Sequence, residues 1–160
     1  MSNITEASHS DASILASLIS DANKDVAKQF KITSINNPKH PSFYTKEWVE
    51  SDFQKKEKYF IFKEKGKVIA CIAYESTRAD TAYLNRLCVL PQYQKKGIGE
   101  KLVRHIFNYS KEKEHTFVSI GIIAQHSSLK NWYLKLGFYE KATKSFEYLP
   151  FDVTYMSFRL

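Results

Sequence analysis

The spacing of apolar positions changes several times along the chain, and each change marks an element. In "NITEAS" a short alternation predicts an opening strand. Ile14, Leu15, Leu18, Ile19 and Val26 then recur on one face of a helix that Ser10 or Asp11 is placed to cap. "INNPKHPS", Ile35 to Ser42, reads as a connection, and a second helix is expected from Phe43 to Lys55, with Phe43, Trp48, Val49 and Phe53 as its apolar contacts. "KYFIFKEKGKVIACIAYES" reads as a hairpin whose turn contains Gly66, a residue free to take positive φ. After a polar turn at Arg78 to Asp80, "TAYLNRLCV" is a further strand.

The second half repeats the theme with longer elements. Ile98, Leu102, Val103, Ile106 and Phe107 have helical spacing, and "TFVSIGIIA" is nearly continuous in apolar residues, as in a strand buried on both faces. A short helix from Ser127 to Leu136 is expected to end at Gly137 in a left-handed cap, with Phe138 packing back on it. Strands around Tyr139 to Tyr148 and Val153 to Leu160 complete a mixed α/β order. Its central strand, helix, strand crossover predicts a parallel pair.

Composition narrows the class. The 160 residues suit one domain, and 43% hydrophobic, 14% aromatic and 26% charged residues describe a globular chain rather than a disordered one. The first residues lack the basic and apolar regions of a signal peptide, and no run of about 18 apolar residues appears, so a cytoplasmic protein without a membrane segment is expected. Cys71 and Cys88 lie in apolar strand runs without CxxC spacing, which predicts reduced, buried thiols. His9, His40, His105 and His115 show no metal-ligand spacing, so no metal is expected. The net charge of +7 favours anionic ligands.

Chemistry concentrates in "LCVLPQYQKKGIGEKLVRHIF", Leu87 to Phe107. A strand stops at Pro91, and a basic loop carrying Gly97 and Gly99 runs into a helix. Both glycines let backbone turn tightly and approach a ligand. The first helical amides have no intrahelical acceptor and the dipole adds positive potential, so the loop is a candidate anion site, with Lys95, Lys96 and Lys101 around it. A dinucleotide fingerprint would need glycine where Leu102 stands, and the nucleotide P-loop pattern is absent.

"VLPQYQKKGIGEKL" resembles the acyl-CoA-binding motif of the GNAT superfamily of N-acetyltransferases: Gln94, Gly97 and Gly99 meet its pattern of Gln or Arg, two residues, Gly, one residue, Gly or Ala. "NWYLKLGFYEK", Asn131 to Lys141, resembles that family's second motif. The resemblance implies a mixed, mostly antiparallel sheet of six or seven strands with a splayed parallel pair at its centre and about four flanking helices. It implies acetyl-CoA as cosubstrate, its pantetheine arm bonded to backbone near Leu87, Cys88 and Val89, often beside a β-bulge. The diphosphate would rest on amides of Gln94, Lys95, Lys96, Gly97, Ile98, Gly99 and Glu100. An amine would attack the thioester directly, and Tyr133 would protonate the departing thiolate. Helical spacing alone makes Tyr133 an amphipathic core residue.

Two positions depart from the family's pattern. Tyr83 stands where many relatives carry a glutamate, so Glu75 is the nearest candidate base, with Asn85 or Tyr83 holding a water, and it is also an ordinary strand-end residue. His126 replaces an asparagine that contacts the cofactor arm; it can bond similarly, act as a base, or cap the helix. Phe43, Tyr44 and Trp48, with Phe146, Tyr148 and Phe151, are candidates for an aromatic wall around a small-molecule amine, although core packing explains most such aromatics. The final hairpin could join a homodimer. An acetyl-CoA sensor without turnover is the alternative reading; neither a nucleic acid nor a membrane partner is expected.

Overall fold

The computed structural model describes residues 3–76 and 78–160. Seven strands form one sheet: β1 (Ile4–Glu6), β2 (Lys58–Glu64), β3 (Lys67–Ser76), β4 (Thr81–Val89), β5 (Phe117–Ile123), β6 (Tyr139–Lys144) and β7 (Val153–Arg159), in the order β1-β2-β3-β4-β5-β7-β6. Every neighbouring pair is antiparallel except β4 and β5, whose parallel pairing follows from the crossover through α4 (Ile98–Glu112). The β2–β3 hairpin turns at Lys65 and Gly66, both left-handed at φ 50° and 78°, as a two-residue turn joining twisted strands requires.

Two helix layers cover the sheet. On one face α4 and α5 (Ser127–Leu136) press Leu102, Val103, Ile106 and Tyr133 onto Ile69, Ile72, Leu84 and Ile120. On the other, α1 (Ala12–Ala22) and α3 (Lys46–Gln54) bring Leu15, Ile19 and Val49 onto Tyr59, Ile61, Cys71 and Cys88. The expected first helix is broken at Asn23, beyond which α2 (Lys24–Gln29) runs separately; Asn23 donates back to the Ile19 carbonyl. Val26 is therefore only half-buried, and Ile14 faces outward at 46% exposure, off the α1 stripe that reaches the sheet. Asp11 occupies the N-cap position of α1 as expected, but its carboxylate accepts from the Ser8 amide at 2.8 Å and so braces a 3-10 turn ahead of the helix instead of bonding a helical amide. Thr45 caps α3, which leaves Phe43 outside it in a 3-10 turn.

The strand buried on both faces is β3, from Val68 to Tyr74. In β5 only Val118, Ile120 and Ile122 are buried, while Ser119, Gly121 and Ile123 remain accessible, because α1 packs on β3 and β4 and leaves the far half of that face open. Gly137 ends α5 at φ 106°, with amides of Gly137 and Phe138 bonding to carbonyls of Leu134 and Tyr133 in a Schellman closure. A Cβ there would meet Phe158 Cε2 at 2.8 Å. Gly137→Ala is expected to lower stability by about 2–3 kcal/mol in denaturant unfolding, since it combines left-handed strain with that clash.

Candidate active site

The parallel ladder between β4 and β5 is short. It pairs Thr81 with Phe117, Ala82 with Val118 and Tyr83 with Ser119, and then ends. Beyond this fork β5 continues against β7, and β4 continues against β3, so the two strands diverge and the β5-facing edge of β4 from 84 to 89 pairs with no other strand among the described residues. A chain of ligand amides can add to such an edge.

A β-bulge lies immediately past the fork. Ala73 pairs with Asn85 and Cys71 with Cys88, so Arg86 and Leu87 together oppose Ile72. Arg86 has φ 48°, a conformation that is uncommon outside glycine. The extra residue resets the alternation: Leu84 faces the α4 side, Arg86 reaches the α1/α3 side, Leu87 returns to the α4 side and Cys88 packs against α1. The expected bulge is thus present, one residue ahead of the Leu87 to Val89 segment.

Arg86 centres a buried polar network. Its Nε donates to the Tyr59 hydroxyl at 2.7 Å, its Nη2 pairs with Glu57, and its Nε lies 3.7 Å from Asp52. The Tyr59 hydroxyl donates to Asp52 at 2.6 Å, and the Tyr44 hydroxyl donates to the same oxygen. The guanidinium also lies over the rings of Tyr44 and Tyr59, 5.6 and 5.5 Å from their centroids. Two carboxylates share one cation here. Burial, opposed by Arg86 and reinforced by Asp52 and Glu75, pushes the Glu57 carboxyl up to about 7. None of these five residues was expected to act together.

After β4, Lys95 and Gly97 are left-handed at φ 62° and 81°. The amides of residues 95–100 find no acceptor among the described residues, and Lys101 donates the first bond of α4 back to Gly97. This concave run of donors at a helix N-terminus is an anion cradle. Gln94 braces it by donating from its side chain to the Val89 carbonyl at 3.1 Å, while the Glu100 side chain turns away to Arg104 at 3.1 Å. Space beside Gly97 is open, and a Cβ at Gly99 would meet Trp132 Cζ2 at 3.3 Å, so that glycine also lets α4 and α5 close.

Tyr133 on α5 is buried, and its hydroxyl has no hydrogen-bond partner among the described residues. Burial, with a smaller contribution from Cys88, pushes its phenol well up, so it is protonated at neutral pH. His126 occupies the N-cap position of α5 without capping it; its ring contacts Phe30 at 5.4 Å and Ser128 Oγ at 3.3 Å, and burial lowers its pKa. Cys88 accepts from Asn23 at 3.4 Å, and the Cys71 thiol is pushed up by the neighbouring Cys88 and by burial, which keeps Cys71 protonated and unreactive. Glu75 is half-buried opposite Tyr83 and accepts from Asn85 at 3.0 Å. The expected aromatic wall divides into separate pairs, Tyr44 with Trp48 and Phe146 with Tyr148, and Tyr44 belongs to the Arg86 network. Among the described residues no group of three His, Cys, Asp or Glu could hold a metal ion, and no helix is long and apolar enough to cross a membrane.

The model of the Acetyltransferase (GNAT) family matches residues 27–138, more than two thirds of the chain. The chain belongs to the GNAT family of acetyltransferases. No curated protein sequence matches it significantly. Solved structures share the fold across low identity. The ribosomal-protein-alanine N-acetyltransferase of Brucella melitensis aligns at TM-score 0.74 with 19% identity, covering 98% of this chain and 99% of that one. A PaiA N-acetyltransferase from Thermoplasma acidophilum in complex with coenzyme A aligns at 0.72 with 19% identity and 98% coverage of both. A GNAT acetyltransferase of Elizabethkingia anophelis with acetyl-CoA bound aligns at 0.62 with 17% identity, covering 72% of this chain and 84% of that one. The expected mixed sheet with a splayed parallel pair is thus the observed GNAT architecture.

The Arg86 network generates two expectations. Arg86→Met should lower stability by about 3–5 kcal/mol, because Asp52 and Glu57 are left buried without their cation. Glu57 binds its proton more tightly in the folded state than its ordinary value of 4.5, so its stabilising share is complete below that pH and is lost as pH rises toward about 7. Glu57→Gln should flatten the pH dependence of unfolding free energy across this window.

Proposed function

We propose that this GNAT protein transfers acetyl from acetyl-CoA to a small amine by direct attack within a ternary complex. The observation that carries the reading is the fork after Tyr83 and Ser119, which leaves an open β4 edge leading into the unpaired amides of residues 95–100. The fit to CoA is chemical at each end. Backbone groups of Leu87, Cys88 and Val89 suit the amides of a pantetheine arm, and the donors from Lys95 to Glu100, with Gln94 bracing the loop, suit a diphosphate. The coenzyme A and acetyl-CoA complexes of the Thermoplasma and Elizabethkingia proteins support the same assignment.

Bound acetyl-CoA supplies a thioester that an uncharged amine attacks at carbon, with loss of the thiolate. The open β4 edge orients the reactants and offers an amide to the carbonyl oxygen. Tyr133 gives its hydroxyl proton to the leaving sulfur, and its unpartnered, protonated phenol suits that role. Glu75, on the open face beside Tyr83, takes the proton from the acceptor ammonium, directly or through a water held with Asn85. His126 borders the cofactor side as a neutral imidazole. The open edge strand β6, exposed along its length, is where a second copy would add.

Calorimetry with CoA and thiol release from acetyl-CoA in the presence of amines test this reading together. Binding with amine-dependent release is expected; binding without release would favour an acetyl-CoA sensor, and no binding would overturn the reading. Gly97→Val should abolish CoA binding, since a β-branched residue resists φ 81°. Tyr133→Phe should retain CoA affinity and lower kcat by about 100-fold; full activity across pH would exclude Tyr133 as the donor.

A further inference from the structure

The uncovered face beyond the fork carries a groove of about 370 Å³, a size that suits a small molecule. Tyr83 and Ser119, the last paired residues of β4 and β5, form its floor at the fork, and Tyr155 walls it from β7 beside Gly121. Arg78, Lys141 and Lys144 also line it.

The groove carries charge of one sign. No acidic side chain lines it, and none of its three cations has a carboxylate partner among the described residues. Lys144 is held over the Tyr155 ring, 5.8 Å from its centroid, which keeps its ammonium at the groove. Glu75 faces the same side at the fork, opposite Tyr83 in the ladder and bonded to Asn85. A carboxylate therefore stands beside the open β4 edge, while the groove itself is lined by cations with no acidic side chain among them, a charge that an anion would neutralise.

We infer that the acceptor is a small amine bearing an anionic group, carboxylate or phosphate, with its amine toward Glu75 at the fork and its anion among Arg78, Lys141 and Lys144. This inference rests on the N-acetyltransferase reading and names the substrate class of that site. A guanidinium and two ammonium groups match an anion in charge and in hydrogen-bond donors. The same groups repel polyamines, whose additional cations would lie beside Lys141 and Lys144.

The test is calorimetric titration of the full chain, with and without CoA, using amine pairs that differ in the anion: tyrosine and tyramine, glycine and glycinamide, phosphoethanolamine and ethanolamine. The carboxylate and phosphate pairs distinguish the two anion chemistries. The anionic member of at least one pair should bind about tenfold more tightly or better, an advantage that shrinks at high salt. In the Lys141→Ala, Lys144→Ala double variant that pair should converge to within about twofold. Equal affinity in every pair, tighter binding of spermidine, or a preference that survives the double variant would overturn the inference. CoA titrated into the same samples separates the two readings: loss of CoA binding with the anion preference intact would remove the transferase reading and leave the groove's specificity standing.

Discussion

A left-handed residue inside a strand is the constraint from which the site follows. Arg86 holds φ 48° in the middle of β4, where an ordinary extended residue would continue the ladder. Its side chain compensates for that conformation by closing a buried network with Asp52, Glu57, Tyr59 and Tyr44, contributed by α3, the segments flanking it, and β2. The bulge thus ties the bend in β4 to the packing of α3. Past the fork, β4 and β5 have no common ladder, and the sheet opens where backbone donors are needed.

The two faces of the sheet then take different tasks. On the α4 and α5 side, apolar packing is continuous from Phe60 through Tyr133 to Met156, and Gly99 and Gly137 set how closely these helices and Phe158 approach. That side supplies a rigid mount for the helix N-terminus and for a phenol kept neutral by burial. The opposite side is covered over β3 and part of β4 and bare over β5, so the groove reaches the fork without interrupting the core. A rigid side to hold a cofactor and an accessible side to admit an acceptor are what the proposed ternary complex requires.

Much of this was legible in the sequence because it depends on local rules. Gly66, Gly97 and Gly137 each stand where the backbone turns left-handed, and a glycine followed by amphipathic spacing announces a helix N-terminus. The crossover from β4 through α4 to β5 dictated a parallel pair. Other features were hidden because they arise from distant neighbours. Asp52, Glu57 and Arg86 share no motif or spacing in the chain and meet only when the fold joins them, and no periodicity marks Arg86 as the extra residue of a bulge. "TFVSIGIIA" resembles a strand covered on both sides, yet whether a helix lies over Ser119 and Gly121 is decided by where α1 packs. Gly99 satisfied a motif, while its contact with Trp132 depends on a helix some thirty positions away.

The most direct test of the account is amide hydrogen exchange with and without CoA. Those amides of residues 84–89 that do not bond to β3 should become protected together with the amides of 95–100 when CoA binds, because both sets face one path from the fork to the α4 N-terminus. Protection confined to the cleft between α1 and α3, or absent from both segments under saturating CoA, would contradict the claim that the splayed strands form the cofactor site.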